Sequence, residues 1–86
     1  MPQVSRFFGI IISMFYDEHN PPHFHATYGE FSVEIGIGDL NVLVGKFPSR
    51  ALGLVIEWAS IHQAELLENW QRIENGQPIE KIAPLE

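Results

Sequence analysis

The sequence predicts an α+β domain in which a four-stranded antiparallel meander is covered on one face by one long C-terminal helix, with an extended tail. Alternating apolar runs fill residues 23–44 and are separated by short glycine-containing turns at Gly29-Glu30 and Gly38-Asp39. After Gly53, neither glycine nor proline interrupts the chain before Gly76, as a long helix requires. Two-residue turns cannot join parallel strands, so the sheet must be antiparallel. We expect the 86 residues to form a single domain.

The first strand is predicted over about residues 7–16. This segment reads FFGIIISMFY and is apolar at both alternating parities, which is typical of an inner strand. Residues 17–22 (DEHNPP) predict a loop, because proline lacks the amide hydrogen that a sheet ladder needs. The remaining strands are predicted at about 23–28, 31–37 and 40–44, with the first strand beside the second.

The two short turns fix a register for the last three strands. A two-residue turn at Gly29-Glu30 forms three apolar cross-strand pairs: Tyr28 with Phe31, Ala26 with Val33, and Phe24 with Ile35. The second turn predicts a matching set: Ile37 with Leu40, Ile35 with Val42, and Val33 with Val44. These residues form a core face under the helix. The opposite face is expected to carry the polar side chains, namely His23, His25, Thr27, Ser32, Glu34 and Asn41.

The helix is predicted over about residues 49–75, with Ser49 as N-cap and Gly76 just beyond its end at C′. Its core stripe is about 100° wide and comprises Leu52, Val55, Ile56, Ala59, Leu66, Trp70 and Ile73. Residues 77–86 contain two prolines and are expected to form an extended tail. We assign the charged residues of the solvated helix face no function.

A second apolar row, Leu54, Trp58 and Ile61, lies on the far side of the predicted helix. One interpretation is that the tail folds back over this row through Ile79, Ile82 and Leu85. The other is that the row contacts a partner, either a second copy of this chain or a small partner protein. A chain of this length has a marginal core and no cysteine for a disulfide, which favours a stabilising partner or metal.

Composition excludes some classes of function. The net charge of −6 argues against direct nucleic-acid binding, because phosphates would be repelled. No apolar stretch approaches the roughly 18 residues of a membrane span. The lack of cysteine and of a cleavable leader pattern leads us to expect a cytoplasmic protein without membrane contact.

Three of the four histidines, His19, His23 and His25, lie within seven residues. On a strand, His23 and His25 point to the same side, and the Pro-Pro turn brings His19 back towards them. Glu34 is expected opposite His25, so the cluster could bind a divalent transition metal such as Zn²⁺, Fe²⁺ or Mn²⁺. The same groups could instead serve metal-free acid-base hydrolysis, as in a small ribonuclease, or hydrogen-bond structurally within the loop. His62 is expected to be a half-buried structural histidine.

Four sequence blocks also resemble a known family: Arg6-Phe7-Phe8-Gly9, His19-Asn20-Pro21-Pro22-His23-Phe24-His25-Ala26, Arg50-Ala51-Leu52 and Glu65-Leu66-Leu67-Glu68-Asn69-Trp70. The chain resembles domain of unknown function family 4160, which comprises small prokaryotic stand-alone proteins. The resemblance covers nearly the whole chain and implies no assigned activity. It does imply a cytoplasmic protein that is often encoded beside another small protein and is sometimes labelled as a toxin-antitoxin component.

The sequence therefore leaves two classes of function open. The first is a protein-interaction module, within a toxin-antitoxin-like pair, that uses Leu54, Trp58 and Ile61 or a sheet edge. The second is a metal-binding protein or small hydrolase that uses His19, His23, His25 and Glu34. The first is favoured, because no obvious nucleophile accompanies the histidines and a short chain leaves little room for a deep substrate pocket.

Overall fold

In a computed structural model, which describes residues 2–16 and 19–86, an antiparallel sheet packs against two helices. The sheet has five strands in chain order: β1 (Gln3–Phe7), β2 (Ile10–Ser13), β3 (His23–Tyr28), β4 (Phe31–Gly36) and β5 (Val42–Lys46). The helices are α1 (Ser49–Ile61) and α2 (Gln63–Glu74). The predicted α+β class with an antiparallel sheet is confirmed, whereas the prediction of four strands and one long helix is wrong.

The first predicted strand, residues 7–16, contains the turn of a hairpin and the whole of its second strand, β2. Phe8 and Gly9 both have positive φ, +50° and +80°, as the two central residues of a type I′ turn require. Phe7 then pairs with Ile10, and β1 lies along the outer edge of β2. Only Phe7 of this segment belongs to β1, and the apolar residues of both parities lie within β2, where Ile10 and Ile12 are fully buried and Ile11 is half-buried. The predicted loop at 17–22 lies partly outside the described residues.

The β3–β4 hairpin has the register that the sequence predicts. All six pairs are present, from His23 opposite Gly36 to Tyr28 opposite Phe31. Gly29 has the positive φ, +58°, that the turn needs. On the core face the four inner residues, Phe24, Ala26, Val33 and Ile35, are buried, whereas the pair beside the turn is exposed.

The last strand differs from its prediction at 40–44. Residues 37–41 form a longer turn, in which the Gly36 N–H donates to the Asn41 carbonyl and the Asp39 carboxylate accepts the Asn41 N–H. Ile35 pairs with Val42 as predicted, but a bulge then brings Val44 opposite Glu34. Since one extra residue turns the following side chains to the other face, Val44 lies on the outer face of the sheet and does not pair with Val33.

The predicted helix over 49–75 is interrupted at His62, whose φ of −114° leaves the helical region. The His62 N–H still donates to the Trp58 and Ala59 carbonyls, and the His62 carbonyl accepts the first hydrogen bond of α2 from Leu66. Pro48, not Ser49, is the residue that precedes the first helical residue. Trp58, which lies in α1 before the interruption, is fully buried in the core.

Gly76 ends α2 as predicted. It lies at C′ with φ +69°, and the Gln77 N–H donates to the Arg72 carbonyl while the Gly76 N–H donates to that of Ile73. These two hydrogen bonds form a Schellman motif, which only a residue tolerant of positive φ closes without strain.

The tail after Gly76 is held against the domain by several hydrogen bonds. The Asn69 side chain, itself buried, bonds both the N–H and the carbonyl of Glu80 at 2.9 Å. The Trp58 indole N–H donates to the Ala83 carbonyl at 2.8 Å, and the Ile82 N–H donates to the Val4 carbonyl of β1 at 2.7 Å. The tail therefore packs along the helices, and it also lies against the β1 edge of the sheet.

The core lies between the sheet and the helices. The Trp58 ring contacts those of Phe7 and Phe24, with ring centres 5.5 and 6.0 Å apart. No helix within the described ranges is long and apolar enough to cross a membrane.

Candidate functional site

The outer face of β3 and β4 brings together three of the four predicted site residues. His23 and His25 alternate on β3, and Glu34 lies directly opposite His25 on β4. One ligand atom from each of the three residues lies within 4.8 Å of the others. His23 Nε2 lies 3.6 Å from Glu34 Oε1. The two imidazole rings have their centres 5.3 Å apart.

His23 is more buried than the prediction of an open polar face implies. Only 6% of the residue is exposed, and the indole of Trp70 from α2 lies 5.3 Å from its ring. His23 Nδ1 lies 2.9 Å from the Pro21 carbonyl oxygen, which can only accept, so Nδ1 carries a hydrogen. This hydrogen bond fixes the orientation of the ring and turns Nε2 towards Glu34.

His25 and Glu34 lie nearer to solvent and are half-buried. The rings of Phe15 and His25 are nearly perpendicular and make an edge-to-face contact, with their centres 4.6 Å apart. A small hollow of about 60 Å³ opens beside the two site residues and is also lined by Ser32 and Val44. Solvent therefore reaches the cluster from the side of β5.

Ser13 is a polar residue of this face that the sequence did not single out. It lies on β2 directly opposite His25 and is 98% buried. Its Oγ has no hydrogen-bond partner among residues 2–16 and 19–86. Because a buried hydroxyl without a partner is costly, its position beside His25 identifies it as a further candidate site residue.

The other two histidines are separate from the cluster. His19 is exposed in the loop before β3 and is not among the residues whose ligand atoms converge. His62, half-buried as expected, packs against Trp58 and contacts the Glu65 carboxylate one helical turn away. The sequence predicts that the Pro-Pro turn brings His19 back towards the cluster, and this structure does not show that arrangement.

The predicted partner row Leu54, Trp58 and Ile61 does not form one continuous surface. Trp58 is fully buried under the sheet and the tail, so its assignment to a partner interface is wrong for this chain. Leu54 is half-buried, and Ile61 is 62% exposed. An interface through the latter two residues stays a prediction.

An exposed apolar surface that the sequence did not identify lies at β5, the edge strand. Every residue of β5 is exposed, including Val42, Leu43 and Val44. Leu43 also borders a largely apolar hollow of about 620 Å³, whose other walls include Pro21, Pro22, Ile37 and Leu67. We call β5 and this hollow together the edge groove. The hollow is formed by the loop before β3, the β4–β5 turn and α2, which are distant in sequence.

The two edges of the sheet differ. At β1 the tail is present, with the Ile82 N–H bonded to the Val4 carbonyl. In the described part of the chain, β5 pairs with β4 alone. Sheet edges that lack such cover offer main-chain donors and acceptors to another strand.

Residues 9–71 match the family model described as Domain of unknown function (DUF4160), and the chain therefore belongs to that family. No curated protein and no solved structure matches the chain.

Proposed function

We propose that this DUF4160 protein is an interaction module, and that it binds an extended basic segment of a partner protein as an added strand along β5. The observation that carries the proposal is the exposed apolar edge strand. Val44 is 57% exposed, and Val42 and Leu43 are each 42% exposed. Natural edge strands are normally protected by charges, prolines or covering segments, and on β5 the only charged residue is Lys46.

Main-chain hydrogen bonds would provide affinity in this binding mode, and side-chain pockets would provide specificity. The hollow beside Leu43 is the pocket that such a segment would use. Its volume of about 620 Å³ accommodates one or two large apolar side chains, and its walls are mainly apolar. A segment with alternating apolar and basic residues therefore suits the edge groove.

Charge favours a partner of different sequence over a second copy. The chain carries a net charge of −6, so two copies repel each other while a basic partner is attracted. A small neighbouring protein of a toxin-antitoxin-like pair, as the family resemblance implies, belongs to this class of partner if it carries a basic extended segment.

The test uses a synthetic twelve-residue peptide of alternating lysine and valine, with an alternating glutamate and valine peptide as its counterpart. Binding is measured by fluorescence anisotropy, and NMR of the labelled protein locates the peptide. We expect the basic peptide to bind and to shift the amide signals of β5 and of Leu67. Binding of both peptides with equal affinity would contradict the proposed charge selectivity.

Val44→Lys tests the edge, and Ile61→Lys is its matched control. Both substitutions add one positive charge at an apolar residue of similar exposure. Val44→Lys should weaken binding of the basic peptide at least about tenfold, equivalent to about 1.4 kcal/mol, whereas Ile61→Lys should change it less than about twofold. If Ile61→Lys has the larger effect, the interface lies on the helices and the proposal is wrong. If sedimentation instead shows a dimer that Val44→Lys separates into monomers, then β5 contacts a second copy of this chain.

A further inference from the structure

The face that carries His23, His25 and Glu34 has a donor set typical of a transition-metal site. Two imidazole nitrogens and one carboxylate oxygen suit Zn²⁺ and related divalent ions, and a site with three protein ligands keeps a position open. The three donors come from two adjacent strands whose register fixes their relative position. Side chains on rigid strands are positioned more precisely than side chains on loops.

The surroundings of His23 match those of a ligating histidine. In metal sites the nitrogen that does not bind the metal usually donates its hydrogen to a carboxylate or backbone carbonyl, which sets the tautomer. His23 Nδ1 makes this hydrogen bond with the Pro21 carbonyl at 2.9 Å. The ligand nitrogen is therefore Nε2, the atom that lies 3.6 Å from the Glu34 carboxylate.

Metal binding would require the three ligand atoms to move only slightly closer to one another. Ligands about 2.0–2.2 Å from a tetrahedral Zn²⁺ lie roughly 3.3–3.6 Å from one another. The contact between His23 and Glu34 already has this length, and the widest separation in the cluster is at most 4.8 Å. His23 is held in place by burial, so the half-buried side chains of His25 and Glu34 would make the adjustment of about 1 Å.

Ser13 provides an independent observation that points to a bound ligand. Its hydroxyl is 98% buried, lies opposite His25, and has no partner among the residues that the structure describes. A metal-bound water on this face could accept or donate the hydrogen bond that the hydroxyl lacks.

From this geometry we infer that His23, His25 and Glu34 bind one divalent metal ion of the zinc type, with a fourth position that none of the residues 2–16 and 19–86 fills and that is open to water. The inference is independent of strand addition at the edge groove. Neither proposal requires the other, and their tests use different ligands and different substitutions.

The test adds Zn²⁺ or Co²⁺ to protein that carries no histidine tag and was stripped with chelator. A metal that binds only the folded state raises the melting temperature, by about 10 °C or more at one hundred times the dissociation constant. The visible spectrum of the Co²⁺ form reports its coordination, and intense bands are expected because a four-coordinate site is proposed. Chelator should reverse both effects.

Glu34→Gln and His25→Ala test the ligands, and His19→Ala is the control within the same histidine-rich segment. The first two should weaken Zn²⁺ binding at least about tenfold, whereas His19→Ala should leave it within about twofold. Equal loss in the control would place binding in the loop and overturn the inference. Absence of any Zn²⁺ or Co²⁺ effect on the wild type would also overturn it.

His23 is left unchanged because it is buried, and a substitution there would affect folding as well as metal binding. If the other ligand variants also fail to fold, NMR of wild-type protein with Co²⁺ decides. Paramagnetic broadening should centre on His25, Glu34 and Ser13. Broadening centred on His19 or His62 would refute the assignment.

Discussion

Replacing Gly45 by alanine should detach much of β5 from β4. Gly45 has φ +93° and lies opposite Val33. An alanine Cβ at this position would overlap the Ser32 carbonyl oxygen and lie 3.1 Å from the Val33 Cα, both backbone atoms that cannot rotate away. The backbone conformation costs about 1–2 kcal/mol for a residue with a Cβ, and relieving the overlap costs about another 1–3 kcal/mol.

The free energy of unfolding should therefore fall by about 2–5 kcal/mol in total, which for a domain of this size lowers the melting temperature by at least about 8 °C. Urea denaturation and calorimetry measure the two quantities. Gly38→Ala is the matched control, because no atom lies within 4 Å of its added Cβ, and its stability should stay within about 0.5 kcal/mol of the wild type. A Gly45→Ala protein as stable as this control would show that β5 does not pair with β4 in the bulged register.

The β3–β4 hairpin could be predicted to the residue because two independent signals agree there. The turn at Gly29-Glu30 fixes the register, and the alternating apolar residues of both strands select the same core face. The β4–β5 hairpin offers similar signals, but the longer turn and the bulge before Val44 depend on hydrogen bonds of Asp39 and Asn41 that alternation does not reveal.

The two errors of element number have different physical causes. At residues 7–16, the single glycine of the segment marks the hairpin, but apolar side chains on both parities suggested one buried strand. Phe8 also adopts a positive φ that aromatic residues rarely take, so residue propensities did not predict a turn at this position. At His62 nothing in the sequence interrupts a helix, yet the chain leaves the helical conformation there, and Trp58 of α1 and Trp70 of α2 are both buried in the core. Such tertiary effects override local preference.

The sequence predicts which residues of the candidate site share one face of the sheet, but it does not predict what surrounds them. Strand alternation and the hairpin register bring His23, His25 and Glu34 together, as expected. The burial of His23 depends on Trp70, which arrives from α2, and the partnerless hydroxyl of Ser13 depends on a strand whose bounds were wrong. The edge groove was missed for the same reason, because its walls come from three segments that only the fold brings together.

Two further substitutions test the core and the tail. Phe24→Ala should cost about 3–5 kcal/mol in denaturant unfolding because Phe24 is fully buried against Trp58, whereas His25→Ala in metal-free protein should cost about 1 kcal/mol or less; equal costs would mean that His25 belongs to the core. Trp58→Phe keeps an aromatic ring in the core but removes the N–H that bonds the Ala83 carbonyl, a loss of about 1–2 kcal/mol. Because this hydrogen bond holds the tail, amide hydrogen exchange at Ile82, whose N–H bonds the β1 edge, should accelerate more than exchange in the β3–β4 hairpin. Unchanged exchange at Ile82 relative to that hairpin would show that the tail is held without Trp58, and that its contact with β1 is sufficient to keep that edge of the sheet covered.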